Sequence, residues 1–296
     1  VSQHSWEAGV RRQLEQARQA ETLREVLARI GPPQAAAFLK EGPGFRVVFS
    51  DAPGPVAERV PGTSRRYHFP GTGLVAQVSI ELCVELGVAV HSVTLSNQGP
   101  EPSPPIRELQ AFYLPLEVRL KHAPCVSGFG GGLTNGFYPP RAYREETVCF
   151  GKARDWDPEN PSFTRWWVAQ RFYTLSSGPD GRSSNPNLPL MQAHWHAADG
   201  QMGLWAGLEW SGRWEIQFGS ASDPHFYFRG GPKVQNLVLD PGETIRLPRA
   251  HVGIYGGPGC SREDGLNAIR RYIREALTPD VEGIRPWPFA AYDHWF

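Results

Sequence analysis

The stretch Leu74-Val75-Ala76-Gln77-Val78-Ser79-Ile80-Glu81-Leu82, followed shortly by Val88-Ala89-Val90-His91-Ser92-Val93-Thr94-Leu95, decides the fold. Apolar and polar residues alternate with a period of two. That spacing lays one apolar face along an extended strand, whereas a helix would scatter the same residues round its axis. The texture recurs at residues 46–49, 112–120, 146–150, 166–175, 192–196, 203–210, 214–218, 234–239 and 243–254, between turns rich in Gly, Pro and Asn. More than ten strands with hardly a helix between them predict an all-β chain built as a large antiparallel sandwich, because parallel strands need helical crossovers. No repeat of fixed length occurs, which argues against a propeller.

Helical patterns flank this region. Residues 7–30 predict a helix, with Leu23, Val26, Leu27 and Ile30 at helical spacing and Gly31-Pro32-Pro33 as its stop. A weaker helical piece spans 34–40. Near the other end, Ser261 with Asp264 three residues on is a capping-box start. Leu266, Ile269, Tyr272, Ile273 and Leu277 then form one apolar stripe that ends before Pro279. A polar connection at 280–285 leads to the apolar, aromatic run Pro286-Trp287-Pro288-Phe289-Ala290-Ala291-Tyr292-Asp293-His294-Trp295-Phe296. The expected organisation is a helical segment at 1–43, the sandwich at 44–258, a linker helix at 259–285 and the opening of another module at 286–296. With Val at position 1 and so apolar an end, the chain reads as the front piece of a larger protein.

Composition removes several function classes. Thirty basic and thirty acidic residues cancel, so no global field attracts nucleic acid or an anionic membrane. Mean hydropathy is −0.40, no apolar run approaches the ~18 residues of a membrane span, and the first thirty residues lack a signal peptide's apolar core. The compartment stays open, with the cytoplasm favoured. Cys83, Cys125, Cys149 and Cys260 are far apart and form no CxxC pair, so they read as buried free thiols rather than a disulfide or a zinc site. Ten Trp, fifteen Phe and nine Tyr beside 32 Gly and 28 Pro suit short strands, tight turns and rings able to stack on sugars.

Several local patterns carry chemistry on paper. Gly128-Phe129-Gly130-Gly131-Gly132 is similar to a phosphate-cradling loop, but no helix start follows it, and a mobile hairpin or ligand-facing loop fits better. His194-Trp195-His196 places two imidazoles on one strand face without a third ligand at useful spacing, so solvent-facing or satisfied histidines are the better reading than zinc. Asp155-Trp156-Asp157 presents paired carboxylates inside a turn, where Asp usually caps backbone N–H groups. Trp166, Trp167, Trp205, Trp210 and Trp214 read mostly as packing.

Four segments taken in order resemble the N-terminal domain of glycoside hydrolase family 36, the α-galactosidases and melibiases. They are Leu95-Ser96-Asn97-Gln98-Gly99 with Ser103-Pro104-Pro105-Ile106, Arg182-Ser183-Ser184-Asn185-Pro186-Asn187-Leu188-Pro189-Leu190, Gly203 through Trp214, and Leu239-Asp240-Pro241-Gly242-Glu243-Thr244-Ile245-Arg246-Leu247-Pro248. The pattern Arg271-Tyr272-Ile273-Arg274-Glu275-Ala276-Leu277 follows them. The resemblance implies a galactose-mutarotase-like β-supersandwich, a connecting helix and a (β/α)₈ catalytic barrel whose first strand begins at 286–296. It places Trp295 as a substrate-stacking residue, with aromatic packing against the apolar face of a sugar as its role. The family's nucleophile and acid/base aspartates sit on later barrel strands, so no residue of this chain is assigned a catalytic role. Neither a cofactor nor a metal is implied. The expected ligand is an α-galactoside oligosaccharide, and a homo-oligomer is expected by the same resemblance.

Two other readings compete. A carbohydrate-binding sandwich without hydrolysis would use Trp156, Trp166 or Trp205 as platforms. A complete enzyme would draw its carboxylates from Asp155, Asp157, Glu209, Glu215 and Asp223.

Overall fold

The computed structural model describes residues 22–50, 56–61, 65–130, 144–150, 172–177, 187–198, 200–210, 212–222 and 225–278. Helix α1 (Leu23–Ile30) carries the predicted apolar spacing and starts at Thr22, which is extended and forms a capping box with Glu25. Thr22 Oγ1 accepts from the Glu25 amide at 3.2 Å, while Glu25 Oε2 accepts from the Thr22 amide at 3.3 Å. The box interrupts the helix expected over 7–30, and residues 7–21 lie outside the described residues. Leu23, Val26 and Leu27 are fully buried, so α1 belongs to the main core of the sandwich. At Gly44 (φ +82°) a Cβ would stand 3.0 Å from Leu23 Cβ and 3.2 Å from the His91 ring, which leaves glycine as the residue that fits this close approach. A short helix, α2 (Ala35–Phe38), occupies the weaker helical piece.

The strands follow as β1 (Arg46–Phe49), β2 (Glu58–Arg59), β3 (Arg66–His68), β4 (Leu74–Cys83), β5 (Val88–Asn97), β6 (Ile106–Gln110), β7 (Phe112–Leu116) and β8 (Cys125–Gly130). They continue as β9 (Arg144–Cys149), β10 (Phe172–Ser176), β11 (Asn187–Ala197), β12 (Gly200–Glu209), β13 (Trp214–Ser222), β14 (His225–Pro232), β15 (Thr244–Arg246) and β16 (Arg249–Gly257). Helix α3 (Arg262–Tyr272) closes the described chain with a π-helical turn at Ile273–Leu277. Among the described residues these strands form a ten-stranded sheet in the order β2-β3-β4-β5-β16-β12-β11-β8-β9 with β15 beside β5, a four-stranded sheet β10-β13-β14-β7, and the pair β1-β6. The pairings are antiparallel, as short turns between strands allow.

The four-stranded sheet sends Phe112, Leu114, Leu116, Trp214, Ile216, Phe218, Phe226 and Phe228 inward, where they join Val126, Met191, Ala193 and Trp195 of the large sheet in one core. Phe112 meets Phe228 edge-on at 5.3 Å, and Phe150 bridges to Phe218 and Phe226 at 5.6 and 5.7 Å. Each fully buried ring of this kind contributes roughly 1.5–3 kcal/mol. The sandwich is therefore held by alternating inward residues, as the period of two requires.

Several local expectations change in physical detail. Residues 243–254 are two strands, not one, because the chain breaks at Leu247-Pro248, where proline has no amide to donate. Residues 234–239 form no ladder and contribute a single bridge, Ile106 to Leu237. Gly128 and Gly130 lie in β8 rather than in a ligand-facing loop. A Cβ on Gly128 would stand 2.7 Å from Leu175 Cδ1 and 2.9 Å from the Tyr173 hydroxyl, so this glycine lets the two sheets approach. Residues 131–143 lie outside the described residues. Cys125 is disulfide-bonded, and the β8–β9 register sets its backbone opposite that of Cys149. Cys83 and Cys260 are free. The all-free-thiol expectation is thus overturned, since sequence separation says nothing about which residues face each other across antiparallel strands.

The Asn97-Gln98-Gly99 segment acts as a knot between turns. Buried Asn97 donates from Nδ2 to the carbonyls of Glu101 at 2.8 Å and Leu239 at 2.9 Å, and its Oδ1 accepts from the Gly99 amide at 3.0 Å. Its backbone carbonyl receives Gly242 N at 2.8 Å and its own amide donates to Glu243 O at 2.9 Å, which fastens the Pro241-Gly242-Glu243 turn before β15.

Candidate functional site

The outer face of the four-stranded sheet carries polar and aromatic residues, because the pleat turns every second residue to that side. The register aligns Phe172, Gly219, Tyr227 and Pro115 in one row across β10, β13, β14 and β7. The next row is Thr174, Gln217, Arg229 and Tyr113, and a third begins with Ser176, Glu215 and Gly231. Strand β6 crosses the end of β14 because Gly231 has no side chain. A Cβ there would overlap the Leu109 carbonyl oxygen. That crossing brings Glu108 and Gln110 to the edge of the same surface.

A chain of hydrogen bonds fixes the second row. Arg229 donates from Nε to Gln217 Oε1 and from a terminal nitrogen to Glu108 Oε2, each at 3.0 Å, while its guanidinium lies 5.2 Å from the Tyr227 ring centre. The Tyr227 hydroxyl donates to Gln217 Oε1 at 2.7 Å, and Gln217 Nε2 donates to Thr174 Oγ1 at 2.8 Å. Tyr113 and Tyr227 stack at 6.4 Å with an interplanar angle of 20°, and Arg46 sits 5.3 Å over Tyr113. Burial raises the Tyr227 pKa, so the hydroxyl remains a donor at neutral pH. Beside this row opens a groove of about 220 Å³ lined by Arg107, Glu108, Gln110, Glu215, Gln217 and Lys233, among others.

Charge in the groove is matched. Glu108 faces Arg229 at 3.0 Å and Arg107 at 3.6 Å, and Glu215 faces Lys233 at 3.5 Å. The described residues of this groove supply no nucleophile with an adjacent base. Gln110 is 5% exposed and its Oε1 has no hydrogen-bond partner among the described residues.

Helix α3 instead covers the outer face of the large sheet at β11, β12 and β16. Glycines make the seat. A Cβ on Gly253 would overlap the Trp205 indole, one on Gly203 the Tyr255 ring, and one on Gly265 both Gln192 and Tyr255. Gln192 Nε2 donates to the Tyr255 hydroxyl at 2.5 Å and to the Arg262 carbonyl at 2.9 Å. Trp205 packs on Tyr272 at 5.4 Å, and Tyr255 is held far above its usual pKa by burial.

The sequence candidates distribute unevenly over this frame. Trp205 is 2% exposed beneath α3, which removes it as a sugar platform; Trp195 and Trp214 are core residues, and Trp210 is half exposed. His194 is buried against the start of α3 and its pKa falls to about 4, first through burial and then through Arg262, while His196 faces solvent. Among the described residues no group of three His, Cys, Asp or Glu could hold a metal ion. Glu209 is engaged by Arg249 at 3.4 Å and His251 at 3.3 Å, and Glu215 lies on the other sheet, so these two do not form a catalytic pair. Trp156, Trp166, Trp167, Trp295, Asp155, Asp157 and Asp223 lie outside the described residues. Sequence reading missed Phe172, Gln217, Tyr227 and Arg229 as a group. The alternation Phe226-Tyr227-Phe228-Arg229 carried a signal for β14, but only the register shows that these side chains meet.

No protein-family model matches the chain, and no curated protein matches it. Solved structures do. The α-galactosidase from Lactobacillus brevis matches at a TM-score of 0.50 and 14% identity, covering 80% of this chain and 27% of that one. The galactosidase domain of the α-galactosidase-sucrose kinase AgaSK matches at 0.51 and 12%, covering 80% and 30%. The family-36 α-galactosidase AgaA from Geobacillus stearothermophilus, as variants in complex with 1-deoxygalactonojirimycin, raffinose or stachyose, matches at 0.50 and 13%, covering 80% and 29%. The shared property is the fold. This chain has the fold of part of the family-36 α-galactosidases, and it spans less than a third of the length of these proteins.

Proposed function

We propose that this chain is the N-terminal, non-catalytic part of a retaining glycoside hydrolase of the α-galactosidase type, acting on terminal α-galactosides of neutral oligosaccharides. The observation that carries the reading is the fold shared over 80% of this chain with 27–30% of α-galactosidase chains. Helix α3 supports it. Seated on the large sheet, α3 runs into a turn where Ile273 and Leu277 remain 44% and 45% exposed, an apolar edge suited to a following domain. In this reading residues 1–43, 44–258 and 259–285 are the helical lead, the sandwich and the linker. Residues 286–296 open the catalytic barrel, Trp295 stacks on the sugar, and the assembly is a homo-oligomer. Hydrolysis would proceed by double displacement between two carboxylates on later barrel strands.

The test compares the 296-residue chain with the complete protein encoded by its gene, using an aryl α-galactoside. Turnover with retained anomeric configuration by the complete protein alone is expected. Turnover by the 296-residue chain, or none by the complete protein, overturns the reading. Among the described residues no helix is long and apolar enough to cross a membrane.

A further inference from the structure

We infer that the outer face of the four-stranded sheet is a binding site for a neutral saccharide of one or two pyranose units, formed by Phe172, Tyr227, Gln217, Arg229 and the adjoining groove. The inference stands apart from the glycosidase reading, because it concerns binding by the sandwich itself.

The first row is apolar and flat. Phe172 is 46% exposed, Tyr227 is half-buried in the same row, and the residue between them is the buried Gly219, which has no side chain to separate the two rings. A pyranose has one face of axial C–H groups that packs on such a surface. The second row is planar and polar. Gln217, only 6% exposed, holds Tyr227 and Arg229 through its carbonyl oxygen and is itself held by Thr174, so Tyr227 and Arg229 meet a ligand with little further loss of rotamer freedom.

The charge pattern selects the class of ligand. Arg107, Arg229 and Lys233 are each within 3.0–3.6 Å of Glu108 or Glu215. An incoming anion would meet those carboxylates, and an incoming cation the guanidinium groups. A hydroxyl both donates and accepts, so a ring of hydroxyls can donate to Glu108 or Glu215 and accept from Arg107 or Lys233 without breaking either pair. At about 220 Å³ the groove is of small-ligand size.

Saturation-transfer NMR and calorimetry of the 296-residue chain with galactose, raffinose and a trigalacturonate test the site. Raffinose is expected to receive saturation from aromatic protons and to bind with a Kd on the order of 1 mM, and trigalacturonate is expected to bind at least about tenfold more weakly. Phe172→Ala, at an exposed position, and Gln217→Ala are each expected to weaken raffinose by about tenfold or more. Val56→Ala, at an exposed position beside β2 on the edge of the large sheet, leaves binding unchanged, and circular dichroism verifies the fold of each variant. No transfer to any neutral sugar at ~20 mM overturns the site. So does binding that survives both Phe172→Ala and Gln217→Ala, or a preference for the uronate. Inactivity of the complete protein on α-galactosides would leave these binding results unaffected, which keeps the two tests distinct.

Discussion

The hydroxyl of Tyr272 on α3 donates to Nδ1 of His251 on β16 at 2.7 Å, and the other ring nitrogen of His251 lies 3.3 Å from the Glu209 carboxylate. A neutral imidazole protonated at Nε2 satisfies both contacts, and burial favours that form by lowering the His251 pKa. This relay pins the last turn of α3 to the large sheet. The Tyr272 hydroxyl, with its pKa pushed up to about 12 by burial, stays a donor throughout the physiological range.

Tyr272→Phe therefore leaves a buried imidazole nitrogen without its donor. Chemical denaturation is expected to show a loss of about 1–2 kcal/mol. An unchanged midpoint would mean that this relay adds nothing to the seating of α3.

Gly253→Ala and Gly207→Ala separate close approach from strand propensity. A Cβ at Gly253 would overlap the Trp205 indole, whereas one at Gly207 meets Leu190 Cδ1 at 3.4 Å, an ordinary contact. The first substitution is expected to cost about 1–3 kcal/mol and to loosen α3, and the second less than about 1 kcal/mol. Equal effects in thermal melts would refute the glycine seat.

Two buried histidines set an acid limit. Burial is the first cause that lowers the pKa of both His91 and His194 from 6.5 to about 4. His91 Nδ1 donates to the Ala111 carbonyl at 2.8 Å, which opposes the shift only in part. Below pH 6.5 the unfolded chain takes up protons that the folded chain refuses until about pH 4, so unfolding is increasingly favoured through that window. Above pH 6.5 these groups add no pH dependence. Urea midpoints are expected to fall steadily from pH 6.5 to 4.5, with His91 accounting for about 2 kcal/mol. A flat profile across that range contradicts it.

The thiol chemistry is equally definite. Alkylation of the unreduced, denatured chain is expected to label Cys83 and Cys260 and to spare Cys125, which becomes reactive after reduction. Peptide mass spectrometry reads this directly, and modification of Cys125 without reductant would refute its disulfide.

Much of the architecture was legible locally. The alternation at 74–82 and 88–95 became β4 and β5, and the capping box at Ser261 and Asp264 started α3, because pleat and cap geometry depend only on neighbouring residues. The Thr22–Glu25 box is equally local, and its Thr-x-x-Glu spacing marks the helix start within residues 7–30. The candidate site was another matter. Phe172 and Tyr227 are 55 positions apart in the sequence and share a row only because β13 lies between β10 and β14.

By itself the amino-acid sequence determined that this is an antiparallel β protein with helical ends, since periods of two and of 3.6 decide which local backbone can bury its apolar residues. It also carried the order of motifs that resembles family 36. Only the tertiary structure decided that Cys125 is bridged, that Trp205 is sealed beneath α3, and that Arg229, Gln217 and Glu108 converge on one groove. Those outcomes depend on register and sheet order. They arise from the packing of many distant residues into one core, and no local pattern encodes which strands become neighbours.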